Sequence, residues 1–360
     1  MSTDNTTDVE SFSDVSIISD RYKSTVVTLG GVNSFLAIIV NLVVVFVVLS
    51  DRSLRRSIFM WNVVSLGVSG LLAGLFIIPL NTSRFDQERW VHGATVCKAL
   101  IVLDHVQLTL PAIILVFTNL NRIFKIRREH NPLAYAGFSQ INVLQCILLI
   151  SPWIYTFGIC VPVLMVSKAD DGLFESLYRK YCFFVMRWYF LLVMLTMMMI
   201  LPIFLLLCST SILALYYHYG SRGWNRLPNS ENANPNSSDV VGTLRSTVFA
   251  TMISSFVFLF CWTPDLFVLT KALSCHSHDC MQAESTYLTT YTVSCSACFL
   301  SQIPWFLITD VHLRVQELAH SVISRIRHFL DTVRRCCCSK PADLNVGTSD
   351  GLLIEGSDLI

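Results

Sequence analysis

The chain has 360 residues, of which 53% are hydrophobic and 14% charged, well under the roughly 25% charge of a soluble domain. Lys and Arg (26) nearly balance Asp and Glu (25) for a formal charge of +1, without the clustered basic excess that a nucleic-acid binder shows. This composition argues against a water-soluble enzyme and against a nucleic-acid partner.

The first 24 residues are rich in Ser, Thr and Asp and show no apolar run, so no cleavable leader is expected there. Asn5-Thr6-Thr7 is a glycosylation sequon, and Asn81-Thr82-Ser83 is a second, weaker candidate. Seven stretches then approach the 20 or so apolar residues that cross roughly 30 Å of hydrocarbon: 25–50, 57–80, 97–125, 138–166, 188–217, 244–272 and 286–309. The expected fold is an all-α membrane protein, a seven-helix bundle over 25–310.

Orientation follows from basic residues in the short connections. Arg52, Arg55 and Arg56, then Arg122, Lys125, Arg127 and Arg128, then Arg222, Arg226 and Arg245, then the cluster from Arg314 to Lys340 fall in alternate connections, all on one side, and hold most of the 26. That side is cytosolic, which makes the N-terminal tail extracellular. The segment 218–243 is polar, rich in Asn and Pro, and reads as a flexible connector. Over 311–335, Leu313, Leu318, Val322, Ile326 and Leu330 recur between Arg and His, the pattern of an amphipathic helix on the cytoplasmic face. The cytoplasmic tail 336–360 follows, acidic from Ala342 to Ile360.

Among the 13 cysteines, Cys146, Cys160, Cys208, Cys295 and Cys298 lie well inside spans and read as small apolar packing residues. In the oxidising exterior, Cys97 is expected to pair with Cys182 and Cys275 with Cys280. The alternative for the last two is a metal site with His276 and His278, but four ligands within six residues close poorly around a tetrahedral ion; no metal or other cofactor is expected. Cys336, Cys337 and Cys338 behind Arg334 and Arg335 have the setting of S-palmitoylation, a second attachment to membrane lipid.

The residues at particular places carry a resemblance. Asn41 stands in Val-Asn-Leu-Val of the first span, and Trp90-Val91-His92-Gly93 precedes Cys97. Asn121-Arg122-Ile123 lies 25 residues beyond Cys97. Trp153 marks the fourth span and Pro202 the fifth. Phe258-Leu259-Phe260-Cys261-Trp262-Thr263-Pro264 falls in the sixth, and Ile303-Pro304-Trp305-Phe306-Leu307 ends the seventh. Over about 25–335 the chain resembles the rhodopsin-like (class A) G protein-coupled receptors. The resemblance implies an extracellular small-molecule or peptide ligand, coupling to a heterotrimeric G protein around Arg122, contact with arrestin, and no enzyme activity. The prolines free backbone bonds and permit kinks, so a sixth helix carrying Trp262 and Phe258 inward can act as a bistable element.

The departures are equally specific. Gly70 replaces the buried Asp of the second helix, Pro111 a small hydroxyl residue, Ile303 and Leu307 the Asn and Tyr of the seventh-helix motif, and Thr210 a Tyr. An ion needs several oxygen ligands, so the family's sodium site is expected to be absent. Asn121 and Leu244 leave Arg122 without an acidic partner, which implies a missing inactive-state lock and either raised basal activity or, because Thr210 and Leu307 cannot make the active-state Tyr contacts, weak coupling.

Asp104 lies seven residues, about 10 Å of helix rise, below Cys97. An ionisable group at that depth needs a partner or a wet cavity. The resemblance makes it the ligand-pairing residue for a cationic amine or peptide, with His105, Trp262 and Asp265 beside it. Alternatively Asp104 is tied by a neighbour such as His105 or Tyr291, and Asp265 by Lys271 or Arg187. Met194, Met197, Met198 and Met199 form a fifth-helix wall without catechol-binding serines. The second reading of the whole chain is an atypical seven-helix receptor that captures a ligand or partner without G protein activation. Neither repeats nor a buried polar line favour a transporter or channel.

Overall fold

The computed structural model describes residues 20–87, 89–130, 141–166, 182, 192–224, 236–274 and 283–338. The described residues fold as α1 (Asp20–Ser50), a short α2 (Arg52–Arg55), α3 (Ile58–Leu72), α4 (Ile78–Gln87), α5 (Gly93–His130), α6 (Ile141–Val166), α7 (Leu201–Trp224), α8 (Asn236–Ser274), α9 (Ala283–Leu300) and α10 (Thr309–Cys338). Among these residues five helices are long and apolar enough to cross a membrane, and six if α9 and α10 are taken as one broken span. In α6 the apolar part is the shorter stretch Leu149–Pro162. The chain divides into two units, Met1–Val315 and Gln316–Ile360; the packing and the polar sites described below belong to the first.

Two prolines explain two irregularities. A π turn at Ala73–Ile77 joins α3 to α4, and another at Leu195–Ile200 leads into α7. Each ends two residues before a proline, Pro79 and Pro202. A proline ring collides with the carbonyl four residues back, and widening the helix by one residue per turn relieves the collision without breaking the rod. Pro304 has the stronger effect. Here α9 stops at Leu300 and the chain proceeds through a tight 3₁₀ turn, Ile303–Leu307, closed by the N–H of Trp305 on the Gln302 carbonyl (3.1 Å) and of Ile308 on that of Trp305 (3.2 Å). Pro111, Pro152, Pro162 and Pro264 lie inside continuous helices.

The connector expected over 218–243 is shorter, because α7 continues to Trp224 and α8 begins at Asn236, directly after Pro235. Polarity misled the reading: helical turns that leave the membrane are solvated and no longer need apolar residues. Similarly, α10 extends to Cys338, so Cys336, Cys337 and Cys338 end that helix rather than follow it. Its apolar Leu313, Val322, Ile326 and Leu330 are exposed. The sequon residue Asn5 and the candidate pair Cys275 and Cys280 lie outside the described residues.

Helix α3 and the π turn after it meet α1 through small residues. Cβ atoms added at Gly67 and Gly74 would come within 2.7 Å of Val45 and 3.0 Å of Ile38, and one at Gly70 would stand 2.4 Å from the Asn41 amide. Close backbone approach of this kind replaces the hydrophobic driving force that lipid-embedded helices lack. It lets Asn41 Nδ2 reach the Cys298 carbonyl of α9 at 2.9 Å and the Ala37 carbonyl of its own helix at 2.7 Å. The opposite wall is tied by Trp153, whose indole donates to Ser65 Oγ at 2.8 Å, joining α6 to α3.

Gly70→Ala is therefore expected to lower the thermal denaturation midpoint of the purified protein, because displacing Asn41 outweighs the 0.5–1 kcal/mol or so that Ala gains over Gly in a helix. Gly31→Ala meets nothing within 4 Å and should leave the midpoint unchanged or raise it. Equal shifts for the two would contradict this packing.

Candidate functional site

The outer part of the bundle is organised around one amide. Asn81 on α4 is completely buried, and its Nδ2 donates to Asp104 Oδ1 on α5 at 2.7 Å and to Tyr291 Oη on α9 at 2.7 Å. Three elements thus meet at the Asn81 amide. Tyr291 is packed edge-on against Phe85, 5.9 Å between ring centres, and Arg84 lies over the same Phe85 ring at 4.9 Å. Of the two neighbours expected for Asp104, Tyr291 belongs to the cluster, whereas the His105 ring Nδ1 sits 2.7 Å from the Ile101 carbonyl of its own helix. The burial of Asn81 also removes the second glycosylation candidate, because an acceptor asparagine must be reachable by the transferase.

Below Asp104, Gln107 donates to Cys298 Sγ at 3.3 Å and Cys295 Sγ at 4.0 Å, and Thr109 donates to the Met198 carbonyl at 2.7 Å. Met194 and Met198 face the interior while Met197 is exposed. Helix α8 follows the inward expectation: Phe258, Cys261 and Trp262 are buried, and Phe256, Phe260 and Phe267 face outward. Trp262 packs 6.0 Å from Phe258. The side chain of Asp265 lies outside the described residues. On the outer rim, Gly93 opens α5 at φ +82°, a conformation that disfavours side chains, while the Trp90 indole donates to the Gly93 carbonyl at 2.7 Å. Four residues on, Cys97 forms a disulfide with Cys182. The Trp-x-x-Gly-x-x-x-Cys spacing is thus a turn and a helix start that aim a cysteine.

At the other end of α5, Arg122 is buried. Its Nη1 donates to Thr247 Oγ1 of α8 at 3.2 Å and its Nη2 to Asn121 Oδ1 at 3.2 Å, and its Cζ lies 3.6 Å over the centre of the Phe59 ring. Phe59 in turn meets Trp305 edge-on at 5.7 Å. Leu244, with Ile123, Ile126, Leu213 and Val248, closes the apolar layer beneath. The expectation that Arg122 has no lock is corrected by this geometry. A tie to α8 exists, but it is neutral, because Thr247 and the face of Phe59 occupy the place of a carboxylate.

Asn119 Nδ2, one turn from Arg122, lies within 3.0 Å of Ser209 and Thr210 and 3.4 Å of Ser255. Thr210, in the place of a Tyr, therefore joins a compact polar hub. Sequence reasoning missed Asn81, Gln107, Asn119, Thr247 and Phe59. The usable signal was a polar side chain within an otherwise apolar span, and for Asn81 the overlapping sequon concealed it.

With this geometry in hand, residues 40–302 match the family described as 7 transmembrane receptor (rhodopsin family). The chain belongs to this family. That family is one of receptors rather than enzymes, and with its apolar helices it marks the chain as a multi-pass protein of the plasma membrane. Among its relatives, protein trapped in endoderm-1 of Drosophila melanogaster is 28% identical over 138 residues, 38% of this chain and 34% of that protein. Neuropeptide receptor 22 of Caenorhabditis elegans is 23% identical over 243 residues, 64% and 53% of the two chains. The histamine H1 receptor of Bos taurus is 28% identical over 131 residues, 36% and 26%. The matched stretches thus span a quarter to about half of these relatives' lengths.

Outside the spans, Asp51 accepts from the N–H groups of Ser53 (2.6 Å) and Leu54 (3.2 Å), capping α2, and pairs with Arg314 at the start of α10. Burial pushes this carboxyl upward, but the two N–H groups and the guanidinium outweigh it and hold the pKa below its ordinary 3.8. A depressed carboxylate contributes stability above the unfolded-state pKa and loses it as pH falls through the folded-state value. Asp51→Ala should therefore be less stable than wild type at neutral pH, by 0.5–2 kcal/mol or so as for other lost caps. The gap should narrow as the pH is brought below 3.8, measured by thermal denaturation at each pH; a gap that persists would contradict the charge argument.

Proposed function

We propose that this chain is a signalling receptor with seven crossings over 25–310 and an extracellular N-terminus, which senses a cationic amine or peptide through Asp104 and activates a heterotrimeric G protein around Arg122. The single observation that carries the ligand assignment is the Asn81–Asp104–Tyr291 cluster. A carboxylate at that depth, held in position by a neutral amide, offers its charge to an incoming ammonium or guanidinium. Relatives named for histamine and for a neuropeptide support the same class. His105, Trp262 and Asp265 complete the proposed ligand contacts. The amphipathic stretch 311–335 lies on the inner membrane surface in this reading, with palmitate on Cys336, Cys337 or Cys338 and glycan on Asn5.

Losing one member of a buried charge pair costs upwards of 2 kcal/mol or so. Asp104→Ala should therefore weaken the potency of any agonist found in a panel of amines and short peptides by about 30-fold or more. Unchanged potency for every active compound would overturn the salt-bridge assignment.

Basal activity follows from the tie at Arg122. A hydrogen bond to a neutral hydroxyl is weaker than one to a carboxylate, so the inner ends of α5 and α8 separate more readily than with an ion pair and raise the unliganded signal. Thr247→Glu supplies the absent charge and should lower ligand-free second-messenger output, whereas Thr247→Ala should raise it. If wild type and both variants all read at empty-vector level in G protein and arrestin assays, the receptor captures its ligand without G protein activation.

A further inference from the structure

We propose that Arg122 binds a small monovalent anion, a halide such as chloride, which supplies the charge that Asn121 lacks. This binding requires neither an agonist nor a G protein.

Arg122 is 4% exposed, and a buried guanidinium without a counter-charge is among the costliest groups that a protein interior can hold. Its side-chain partners among the described residues are all neutral: Thr247 Oγ1 on Nη1, Asn121 Oδ1 on Nη2 and the Phe59 ring against Cζ. Hydrogen bonds and the ring quadrupole offset much of that cost, but none of the three carries a negative charge. The remaining edge is not satisfied either, because Nε is buried without an acceptor. One group thus shows both an unmet charge and an unmet donor. A single anion at Nε answers both.

The surroundings select the kind of anion. Phosphate and carboxylate carry several oxygens, each of which needs its own donor once buried, whereas a halide is satisfied by the few N–H groups that an enclosed site can offer. Trp305, which meets Phe59 edge-on, likewise has a buried indole N–H without an acceptor. Both groups that Phe59 touches therefore present unsatisfied donors. The approach is also basic. Arg52, Arg55 and Arg56 stand exposed shortly before Phe59 in the chain, and Asp51, the acid of that segment, is engaged by the Ser53 and Leu54 N–H groups and by Arg314. A positive entrance raises the local concentration of anions.

Asparagine and aspartate have the same shape, so Asn121→Asp changes the charge beside Arg122 and little else. It places a carboxylate where the amide stands, 3.2 Å from Nη2, and leaves the anion no role.

The test is a chloride titration of the purified receptor in a neutral detergent, with gluconate as the replacing anion at constant ionic strength. The denaturation midpoint of wild type should rise saturably with chloride, by about 2–4 °C at tenfold over half-saturation, and bromide should act likewise. Asn121→Asp should be insensitive to the exchange. Arg122→Gln, which removes the charge, should be insensitive as well and serves if the Asp variant fails to fold. Broadening of the ³⁵Cl resonance reads binding directly, and wild type should exceed both variants. A wild-type midpoint that ignores chloride, or a chloride response or ³⁵Cl excess that persists in either variant, would overturn the proposal.

Discussion

Inside lipid a polar group has no water to fall back on, so each one must find a partner within the protein or lower the stability of the fold. This constraint governs the bundle more than any apolar contact does, because lipid-facing and core-facing apolar residues are almost interchangeable in energy. The structure resolves it by routing amides and hydroxyls between helices. Asn41 joins α1 to α9, Asn81 joins α4 to α5 and α9, Asn119 joins α5 to α7 and α8, and Trp153 joins α6 to α3. Each is a polar side chain whose removal would free a buried partner on a different helix.

The same rule explains how Arg122 can be buried without a carboxylate. Its charge is met by two neutral acceptors and by the negative face of the Phe59 ring, an arrangement worth about 2 kcal/mol when desolvated. Because Phe59 also touches Trp305 in the turn after Pro304, the guanidinium is linked to the foot of the bundle through rings rather than through charges. The ordinary titration of a carboxylate lock has no counterpart among these contacts.

Much of this was legible in the sequence and some was not, for physical reasons. The all-helical architecture with its long apolar helices and the inward faces of Phe258 and Trp262 follow from composition and periodicity, which are strong local signals. The Cys97–Cys182 bridge followed from compartment. The π turns before Pro79 and Pro202 were not foreseen, since a proline says that the helix must adjust but not whether it bends, widens or stops. Partner identity was the weakest part. Asp104 was recognised as needing a partner, but whether His105 or Tyr291 supplied it depends on side-chain direction across three helices, and the residue that decides it, Asn81, lies 23 positions away. Gly70 was read as an absence; in the folded chain it is the space that Asn41 occupies.

Asp104 and Arg122 carry opposite charges on one helix, 18 residues or about 27 Å apart. At an effective dielectric constant near 20, their direct interaction is about 0.6 kcal/mol, and cancelling either charge changes the other's energy by no more than that. Switching a two-state element from one form to the other takes about 5.5 kcal/mol. Electrostatics along α5 is therefore too weak by nearly tenfold to couple the two ends. Any coupling has to run through packing and through the neutral groups between them: Gln107, Trp262 and the Asn119 hub, which already holds hydroxyls on both α7 and α8. Since the amide of Asn119 has only two protons for three hydroxyl neighbours, a small rotation of α8 changes which pair it serves at little cost. That makes the neutral middle of the bundle, rather than either charged end, the element whose two arrangements a ligand would select between.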